Sequence, residues 1–468
     1  MKTTILDLFE IDTTVVNSSK IRLEESRIDP QFFSTNQSFI DNLNTKPLIE
    51  FCVDIFNPPV FKREFLEDPN ECRYLASAEI VSFESEITYI TNSQADALRL
   101  KVKKGWILIT GFGTIGSIRI TDTIIDGFAV ANNVTRAIVP DKYSGFIAAF
   151  LASDYGNKLL NDYAAGAVVK YIEAPQIARI PIPILAESII ESINQGYLTA
   201  VACREQSHGL IRKAHNLVFQ YNNLQPLTRL EPDTLDAEGE VEVQMTDLDD
   251  FDNGWRLDAH FYNKKAKLVI NSIKNNATNF AKLEEVVDEI VLGKRFKRNY
   301  VKSNHGTPFI GSKNILQIRP SELKYLSNSE ITFLDDLMLK SGMILIACSG
   351  SLGGTFGKTC FVHRNFEDYA ASQHILRVIP NQQRIDAGYL YAYLSSDYGY
   401  CSITRYRWGA LIDEIDDEDM AKLIIPLCEK AKQREIGDLV RKAYELRAEA
   451  IRLEDEAQEL LTQALTQA

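Results

Sequence analysis

The sequence predicts an α+β protein made of two tandem copies of one domain, each copy closing with a long helix. Segments of the first half recur in the second, and within each half short apolar runs alternate with turns. Two stretches of roughly 30 residues or more carry apolar residues at heptad spacing. Because an apolar stripe on a lone helix would face water, we predict that the two helices pair as an antiparallel coiled coil.

The repeat is carried by segments that recur in the same order. The matched pairs are Arg27–Phe33 with Arg256–Tyr262, Lys104–Ile109 with Ser341–Ile346, Gly113–Gly116 with Gly350–Gly353, and Gly145–Gly156 with Gly388–Gly399. The offset rises from 229 residues at the first pair to 243 at the last. The copies have therefore diverged most near their beginnings.

The repeat divides the chain into five predicted segments. They are a first domain at 1–185, a first long helix at 186–222, an acidic linker at 223–255, a second domain at 256–428 and a second long helix at 429–468. The linker contains Asp233–Glu242 and Asp247–Asp252, which are acidic and typical of a solvated loop.

Each long helix has a predicted contact stripe with steps of four and three residues. The stripe consists of Ala200, Cys203, Leu210, Ala214 and Leu217 in the first helix and of Leu439, Ala443, Leu446, Ala450, Leu453 and Leu460 in the second. Small residues in both stripes favour close packing of the two helices.

Composition limits the classes of protein that the chain can belong to. The 468 residues are 45% hydrophobic, which is ample for buried cores, and no apolar run reaches the roughly 18 residues of a membrane span. The first residues contain no apolar signal-peptide region, so we expect a cytoplasmic protein without membrane contact. The seven cysteines are scattered, which argues against a zinc site or a disulfide framework. A net charge of −13 means that any nucleic-acid binding must come from local basic patches.

The segment Gly111–Gly116 has the G-x-G-x-x-G spacing of a dinucleotide-binding turn. Such a turn must open a helix whose N-terminus holds the pyrophosphate, but Ser117–Ile125 alternates polar and apolar residues as a strand does. Cys348 replaces Gly111 in the second copy, so we interpret this glycine as dispensable. We predict a tight turn between two strands and no bound cofactor.

The segment Asn57–Val60 resembles the N-P-P-aromatic loop of adenine-N6 methyltransferases, in which an aromatic ring stacks on the flipped base. Val60 cannot stack, so we predict a Pro-Pro turn instead and keep a stand-alone methyltransferase as an alternative. The six histidines show no metal-ligand spacing, and no serine or cysteine lies in a nucleophile elbow. We therefore predict no catalytic residue and no metal site.

Positive charge and aromatic residues meet in the second copy at Gly293–Lys302 and again at Arg405–Trp408. Such clusters suit phosphate contacts and contacts to base edges. In the first copy, Phe61–Arg63 stands at the place of the first cluster. The predicted DNA-contacting residues are Lys62, Arg63, Lys170, Lys294, Arg295, Lys297, Arg298, Tyr300, Lys302, His305, Lys313, Arg364, Arg405, Arg407 and Trp408, with Arg377 as a further arginine elsewhere in the second copy.

With these features the chain resembles the specificity subunit of type I restriction-modification systems along nearly its whole length. The resemblance is carried by Gly306–Ile315, Gly342–Ile346, Ser349–Gly353 and Ile424–Pro426, the last followed by Gln433 and Ile436. The first copy departs from the pattern, because Arg73–Ile80 replaces the Thr-Pro-containing segment.

The resemblance implies two target-recognition domains, each recognising one half of a bipartite site in double-stranded DNA. It also implies that the helices act as a spacer and dock methyltransferase subunits, which use S-adenosylmethionine to modify adenine, and that this chain itself binds no cofactor. Restriction (translocase) subunits that use ATP and Mg²⁺ join some such assemblies. Residues 186–222 as one helix would extend about 55 Å, which covers about 15 base pairs.

Three alternatives stay open beside this interpretation. A specificity subunit of a related phage-defence modification complex would differ only in its partners. A scaffold would bind partner helices without sequence preference, and a stand-alone adenine methyltransferase would bind S-adenosylmethionine by itself.

Overall fold

The computed structural model describes residues 43–83, 88–166, 169–227, 256 and 258–467. The predicted match at Arg27–Phe33 and both acidic stretches of the linker lie outside these residues. The described residues form two compact units. The first contains residues up to 80, 88–201 and those from 453 on, and the second contains 81–83 and 202–452.

The first unit is built on a four-stranded antiparallel sheet. Its strand order is β2-β8-β5-β6, with β2 at Asp54–Phe56, β5 at Ile107–Thr110, β6 at Ile118–Ile120 and β8 at Val134–Ile138. The four residues of β5 are all buried, as expected for a central strand. The described part of this unit also contains a second sheet with the order β4-β3-β7, formed by Thr88–Ile90, Cys72–Leu75 and Ala129–Val130. Strand β1 (Thr45–Pro47) pairs with β9 (Pro181–Pro183). The same described part has four short α-helices, α1 to α4, at Asn92–Ala97, Asp141–Ala152, Asp154–Tyr163 and Ala174–Ile177.

The second unit repeats this topology. Its central antiparallel sheet has the order β11-β19-β15-β17, formed by Val287–Leu292, Ile375–Pro380, Ile344–Ala347 and Thr359–Phe361. A second sheet has the order β12-β14-β13-β18, formed by Tyr300–Val301, Lys324–Ser327, Gly306–Ile310 and Ala370–Ala371. Two strand pairs are also present: β10 (Phe280–Lys282) pairs with β21 (Ile424–Pro426), and β16 (Ser349–Gly350) pairs with β20 (Asp413–Glu414). The helices α6 to α10 of this unit lie at Lys264–Asn276, Leu283–Val286, Ala387–Leu394, Asp397–Arg405 and Asp417–Ala421.

The repeat extends to single residue pairs. In each second sheet one strand pair is parallel, and it joins Tyr74 to Ala129 in the first unit and Phe309 to Ala370 in the second. Gly145 and Gly388, which are 243 residues apart and match in the repeat, have the same role in packing. A Cβ on Gly145 would lie 2.3 Å from the carbonyl oxygen of Asn194, and one on Gly388 would lie 2.7 Å from Cα of Gly437. Each glycine therefore permits a core helix to pack closely on the long helix that follows it.

The two long helices are α5 (Glu187–Tyr221) and α11 (Lys430–Gln467), and they run antiparallel. Within the first unit, Ile193 and Tyr197 share an apolar cluster with Ala457, Leu461 and Leu465. Within the second unit, Arg447 Nε donates to Ser207 Oγ at 3.1 Å and Tyr221 Oη donates to Glu435 Oε2 at 2.8 Å. The predicted α+β fold with paired long helices is confirmed.

The buried stripe of each helix differs from the predicted one at alternate positions. Ala200, Ala214, Ala443 and Ala450 are buried, whereas the other predicted stripe residues are half-buried, namely Cys203, Leu210, Leu217, Leu439, Leu446, Leu453 and Leu460. The residue that follows each of these seven is buried instead, namely Arg204, Ile211, Val218, Val440, Arg447, Glu454 and Leu461. The helix contact therefore contains charged side chains where the sequence pattern had favoured cysteine and leucine.

Candidate nucleic-acid interface

The basic loop at 293–299 connects β11 to β12 in the second unit. Lys294, Arg295 and Lys297 are exposed on it, and Lys302 and His305 are exposed just beyond β12. Arg298 is held more firmly, because its Nη2 donates to Gln373 Oε1 at 2.6 Å and its guanidinium lies 5.4 Å from the centre of the Phe309 ring. The loop thus combines exposed cations with one arginine of fixed orientation.

Two grooves border this loop. A groove of about 640 Å³ is lined by Lys294, Arg295 and Phe296, together with the carboxylates of Glu289, Asp335 and Asp336. The second groove, of about 530 Å³, lies beside the hairpin that Trp408 and Glu414 close, and we call it the hairpin groove. Its lining residues include Arg298, Tyr300, Lys324, Ser312, His374, Leu411 and Ile412. The hairpin groove holds cations, hydroxyl groups and an exposed apolar edge together, which are the groups that contact phosphates and bases.

Burial lowers the pKa of the His374 imidazole in the hairpin groove, and the nearby Arg298 and Arg295 guanidinium groups lower it further. A neutral imidazole keeps one ring nitrogen as an acceptor. Lys324 Nζ lies 5.0 Å from the centre of the Tyr300 ring, so this cation and ring also support each other.

The Arg405–Trp408 cluster separates into supporting and exposed residues. Arg405 Nε donates to the carbonyl of Phe261 at 2.8 Å, and its guanidinium packs 3.8 Å from the centre of that ring. Arg407 is largely covered, and its Nη1 lies 3.9 Å from Asp413 Oδ1. Trp408 is 44% exposed, so it is the member of the cluster with the most accessible side chain.

Lys313 is exposed beside the hairpin groove, between the lining residues Ser312 and Asn314, whereas Arg364 is exposed elsewhere in the second unit. Lys313 Nζ lies 4.0 Å from Glu322 Oε2. Arg364 follows His363, whose Nε2 lies 3.9 Å from Glu445 Oε1 on α11, and Arg364 lines neither groove. The structure therefore does not bring Arg364 together with the basic loop.

Arg377 corrects the sequence analysis. Its side chain is only 5% exposed, its Nη1 donates to the carbonyl of Asp336, and burial lowers its pKa. The equivalent Arg136 of the first unit is fully buried, donates to the carbonyls of Ala131 and Leu100, and has a pKa lowered to about 9 by burial. This arginine donates to loop carbonyls inside each domain, and Arg377 contributes only a small exposed area to the groove of about 640 Å³.

The first unit presents a smaller version of the same surface. Lys62 and Arg63 are exposed on the loop after β2, and Lys62 Nζ pairs with Glu64 Oε1 at 2.9 Å. Arg63 lies 5.9 Å from the centre of the Tyr74 ring. Arg63 and Tyr74 match Arg298 and Phe309, because each residue of the first pair precedes its counterpart by 235 residues. Each domain therefore places an arginine beside an aromatic ring at the same position of the repeat. Lys170 is exposed on a second loop of this unit.

Gly111–Gly116 does not fit a dinucleotide. The chain continues into β6 and not into a helix, as predicted. Gly113 and Gly116 have φ values of +73° and +84° in the turn. The view that Gly111 is dispensable is wrong, since a Cβ there would lie 2.1 Å from the carbonyl oxygen of Ile172. That carbonyl fills the space beside Gly111, which leaves no room there for a pyrophosphate.

The Asn57 side chain makes hydrogen bonds within the first unit. Its Oδ1 accepts from Thr135 Oγ1 at 3.0 Å and from the Ala174 backbone at 2.8 Å, and its Nδ2 donates to the Asn132 carbonyl at 3.2 Å. These bonds leave the Asn57 amide no capacity to hold an adenine amino group. Among the described residues, no group of three or more His, Cys, Asp or Glu could hold a metal ion. In the same part of the chain, no helix combines the length and the apolar character needed to cross a membrane.

Sequence reasoning missed Leu411, Ile412, Lys324 and Gln373. Gly409-Ala410 recurs in the first copy as Gly166-Ala167, but neither this repeat nor any periodicity indicated that Leu411 and Ile412 are exposed to solvent. Lys324 and Gln373 reach the interface only through strand pairing and a loop distant in the chain.

The family model of the "Type I restriction modification DNA specificity domain" matches residues 276–456. The chain is similar to the solved S subunit of a type I restriction-modification system from M. genitalium, with 14% identity over 94% of this chain and 97% of that one and a TM-score of 0.32. It is also similar to the HsdS subunit from Thermoanaerobacter tengcongensis, with 15% identity over 90% of this chain and 96% of that one and a TM-score of 0.28. No curated protein matches the chain. The family model covers the second copy, which contains all the segments that carry the resemblance in the sequence.

Proposed function

We propose, starting from the type I restriction-modification DNA specificity domain at residues 276–456, that this chain is the DNA-recognition subunit of a modification complex. The observation that carries the proposal is the basic loop beside the hairpin groove inside that domain, with Arg298 held between Gln373 and Phe309. The equivalent pair of Arg63 and Tyr74 supports a second recognition surface in the first unit. Each domain would then recognise one half of a bipartite site.

The rest of the assembly follows from this role. The paired helices α5 and α11 would set the spacing of the half-sites and dock methyltransferase subunits. Those subunits, and not this chain, would use S-adenosylmethionine, and restriction subunits with ATP and Mg²⁺ could join them. This chain would be non-catalytic and would work in the cytoplasm.

The net charge of −13 is compatible with DNA binding because the exposed cations are concentrated. Lys294, Arg295 and Lys297 lie within four positions, and salt-dependent affinity comes from such local neutralisation of phosphates. The acidic remainder would disfavour binding of DNA elsewhere on the surface.

The experiment is a selection of bound duplexes from a randomised pool, using the full chain purified with its co-expressed methyltransferase subunits. We expect enrichment of two short motifs separated by a gap of fixed length. No enriched motif from an active complex would favour the scaffold alternative.

Charge variants test which surface makes the contacts. Replacing Lys294 and Lys297 by Gln should weaken binding to all duplexes alike and reduce the slope of log affinity against log salt by about 0.9 for each lost phosphate contact. Lys274→Gln removes an exposed lysine that lines neither groove and serves as the control. An equal effect of the control would contradict the assignment to the basic loop.

Two alternatives can be separated by simple measurements. A stand-alone methyltransferase would bind S-adenosylmethionine as an isolated chain, which the commitment of Asn57 and the filled space at Gly111 oppose. Calorimetric titration of the isolated chain should show no binding. A specificity subunit of a related phage-defence complex would give the same DNA motif and differ in the proteins purified with it.

A further inference from the structure

We propose that the hairpin at 408–414 is an apolar recognition element, in which Leu411 and Ile412 contact the C5-methyl group of a thymine in the DNA major groove. This inference rests on the proposed function. It adds to the basic loop a pair of residues that contribute sequence preference without charge.

The hairpin is held rigidly. The backbones of Trp408 and Glu414 exchange two hydrogen bonds of 2.9 and 2.8 Å, and β20 pairs with β16. Asp413 Oδ2 also accepts from the Leu352 backbone at 2.9 Å. Gly409 closes the turn with a φ of +111°, and a Cβ there would lie 2.1 Å from the carbonyl oxygen of Ile412. These contacts fix the backbone on both sides of the two residues at the tip.

This rigidity keeps apolar side chains in water. Leu411 is 98% exposed and Ile412 is 57% exposed. Binding of a partner that removes exposed apolar surface from water is favourable, because it lowers the free energy of the system. In DNA the thymine C5-methyl group is the apolar feature of the major-groove edge, and apolar side chains contact it directly.

The position of the tip favours DNA over a protein as the partner. Leu411 and Ile412 line the same groove as Arg298, Tyr300 and Lys324. Glu322 also lines this groove, but its carboxylate lies 4.0 Å from Lys313 Nζ. The cations Arg298 and Lys324 beside the apolar tip therefore suit a partner with negative charge and an apolar group close together. A DNA backbone and a thymine methyl offer this combination within one nucleotide pair.

The described residues 165–166 and 169–171 of the first unit are arranged in a similar way. The backbones of Ala165 and Tyr171 exchange hydrogen bonds of 2.7 and 2.8 Å. Gly166 has a φ of +99°, and a Cβ on it would lie 2.2 Å from the carbonyl oxygen of Val169, which is 64% exposed. Val169 thus stands at the position of Ile412 and exposes a different apolar side chain.

The test uses the purified complex, the duplex that the wild-type complex enriches from a randomised pool, and the same duplex with deoxyuridine in place of each thymidine of one half-site in turn. Uracil lacks only the methyl group. We expect one substituted position to weaken wild-type binding about fivefold, within the range known for single base-pair changes. In the Leu411→Ala and Ile412→Ala double variant, affinity for the unmodified duplex should fall by a similar factor, and the same deoxyuridine should have no further effect. The slope of affinity against salt should stay unchanged.

The control is Val53→Ala, which removes a 75% exposed valine from the first unit. It should leave both the affinity and the uracil effect as in the wild type. A double variant that still distinguishes thymine from uracil as the wild type does would overturn the inference while leaving the proposed function intact. Loss of methyltransferase subunits from the purified double variant would also overturn it, because the tip would then contact a protein. Failure of the wild-type complex to enrich any duplex would overturn the proposed function and this inference together.

Discussion

Arg298 shows how the fold gives one residue of a basic loop a distinct role. Its neighbours Lys294 and Lys297 are exposed, whereas Arg298 is fixed by Gln373 and by the Phe309 ring. A guanidinium of fixed orientation can make the bidentate contact to guanine that a lysine cannot make.

Arg298→Lys is therefore expected to relax base preference at one position of a half-site, at a cost of about 1–3 kcal/mol in discrimination. The salt dependence should stay as in the wild type, because the charge is kept. Binding to duplexes that vary this position measures the effect. Lys297→Arg, a change of equal size on an exposed neighbour, should leave the preference unaltered.

His215 makes stability depend on pH. Burial lowers its pKa from 6.5 to about 4, with a smaller contribution from His208, and its Nε2 lies 2.8 Å from Ser395 Oγ. Because the folded state binds the proton less well than the unfolded state, stability is complete above about pH 6.5 and is lost as the pH falls towards 4. Between about pH 7.5 and pH 5 the loss from this residue is roughly 2 kcal/mol.

His215→Gln should remove that part of the pH dependence. Urea unfolding at the two pH values measures it, and His305→Gln, a change at an exposed histidine, should retain the wild-type difference. An unchanged pH dependence in His215→Gln would show that the imidazole is accessible to water in the folded protein.

The buried arginines mark one limit of prediction from sequence at this scale. The sequence does not distinguish the buried Arg136 and Arg377 from arginines on the surface, because their sequence neighbours do not indicate burial. They are buried because loops distant in the chain supply carbonyl oxygens, such as those of Leu100 and Asp336. Such partners become visible only when the strands are paired.

At the scale of elements, the sequence predicted strands, turns and helices better than it predicted which helix face is buried. The sequence predicted a tight turn between two strands at Gly113–Gly116, and the structure has this turn between β5 and β6. The heptad pattern permitted two neighbouring stripes on each helix. Leucine favoured the stripe through Leu446 and Leu453, but the structure buries Arg447 and Glu454. A charged side chain can occupy such a position when it finds polar and aromatic partners.

Arg447 is the clearest example. Its guanidinium lies 3.9 Å from the centre of the Phe83 ring and 4.5 Å from that of Tyr444, and its Nε donates to Ser207 Oγ. Arg447→Ala should lower the free energy of unfolding of the second unit by about 2–3 kcal/mol through the loss of these contacts. Chemical denaturation measures this.

Arg452→Ala is the matched control on the same helix. Arg452 is 53% exposed and pairs with Glu449 at 2.5 Å, so its loss should cost about 0.5 kcal/mol or less. A similar cost for both variants would mean that Arg447 contributes no more than a surface ion pair.

At the scale of the whole molecule, the repeated architecture was predictable, and the position of the candidate site was predictable only in part. The recurring segments predicted two domains, each followed by a long helix, and the basic loop stood out by composition. The hairpin tip at Leu411 did not, because an exposed leucine has no periodic signal and its exposure comes from the backbone at Gly409.

The proposed spacer role of the long helices can be tested by changing their length. Deleting seven residues around Cys203 in α5 and seven around Ala450 in α11 keeps the heptad pattern and shortens each helix by about 10 Å. We expect the gap in the recognised site to shorten by about three base pairs. Selection from a randomised pool measures the gap, and replacing the same residues by a different heptad of equal length should preserve it. An unchanged gap after the deletion would contradict the spacer role.

The last turns of α11 also affect the order in which the protein can be made. Ala457, Leu461 and Leu465 belong to the apolar core of the first unit, although they are synthesised long after the rest of it. A ribosome adding about 5–20 residues per second needs roughly 13–50 s to pass from residue 201 to residue 465. During that interval the first unit is exposed with its core open, while the second unit can be completed as soon as residue 452 emerges. The amino-terminal domain is therefore the last to mature and the one that most needs protection while translation continues.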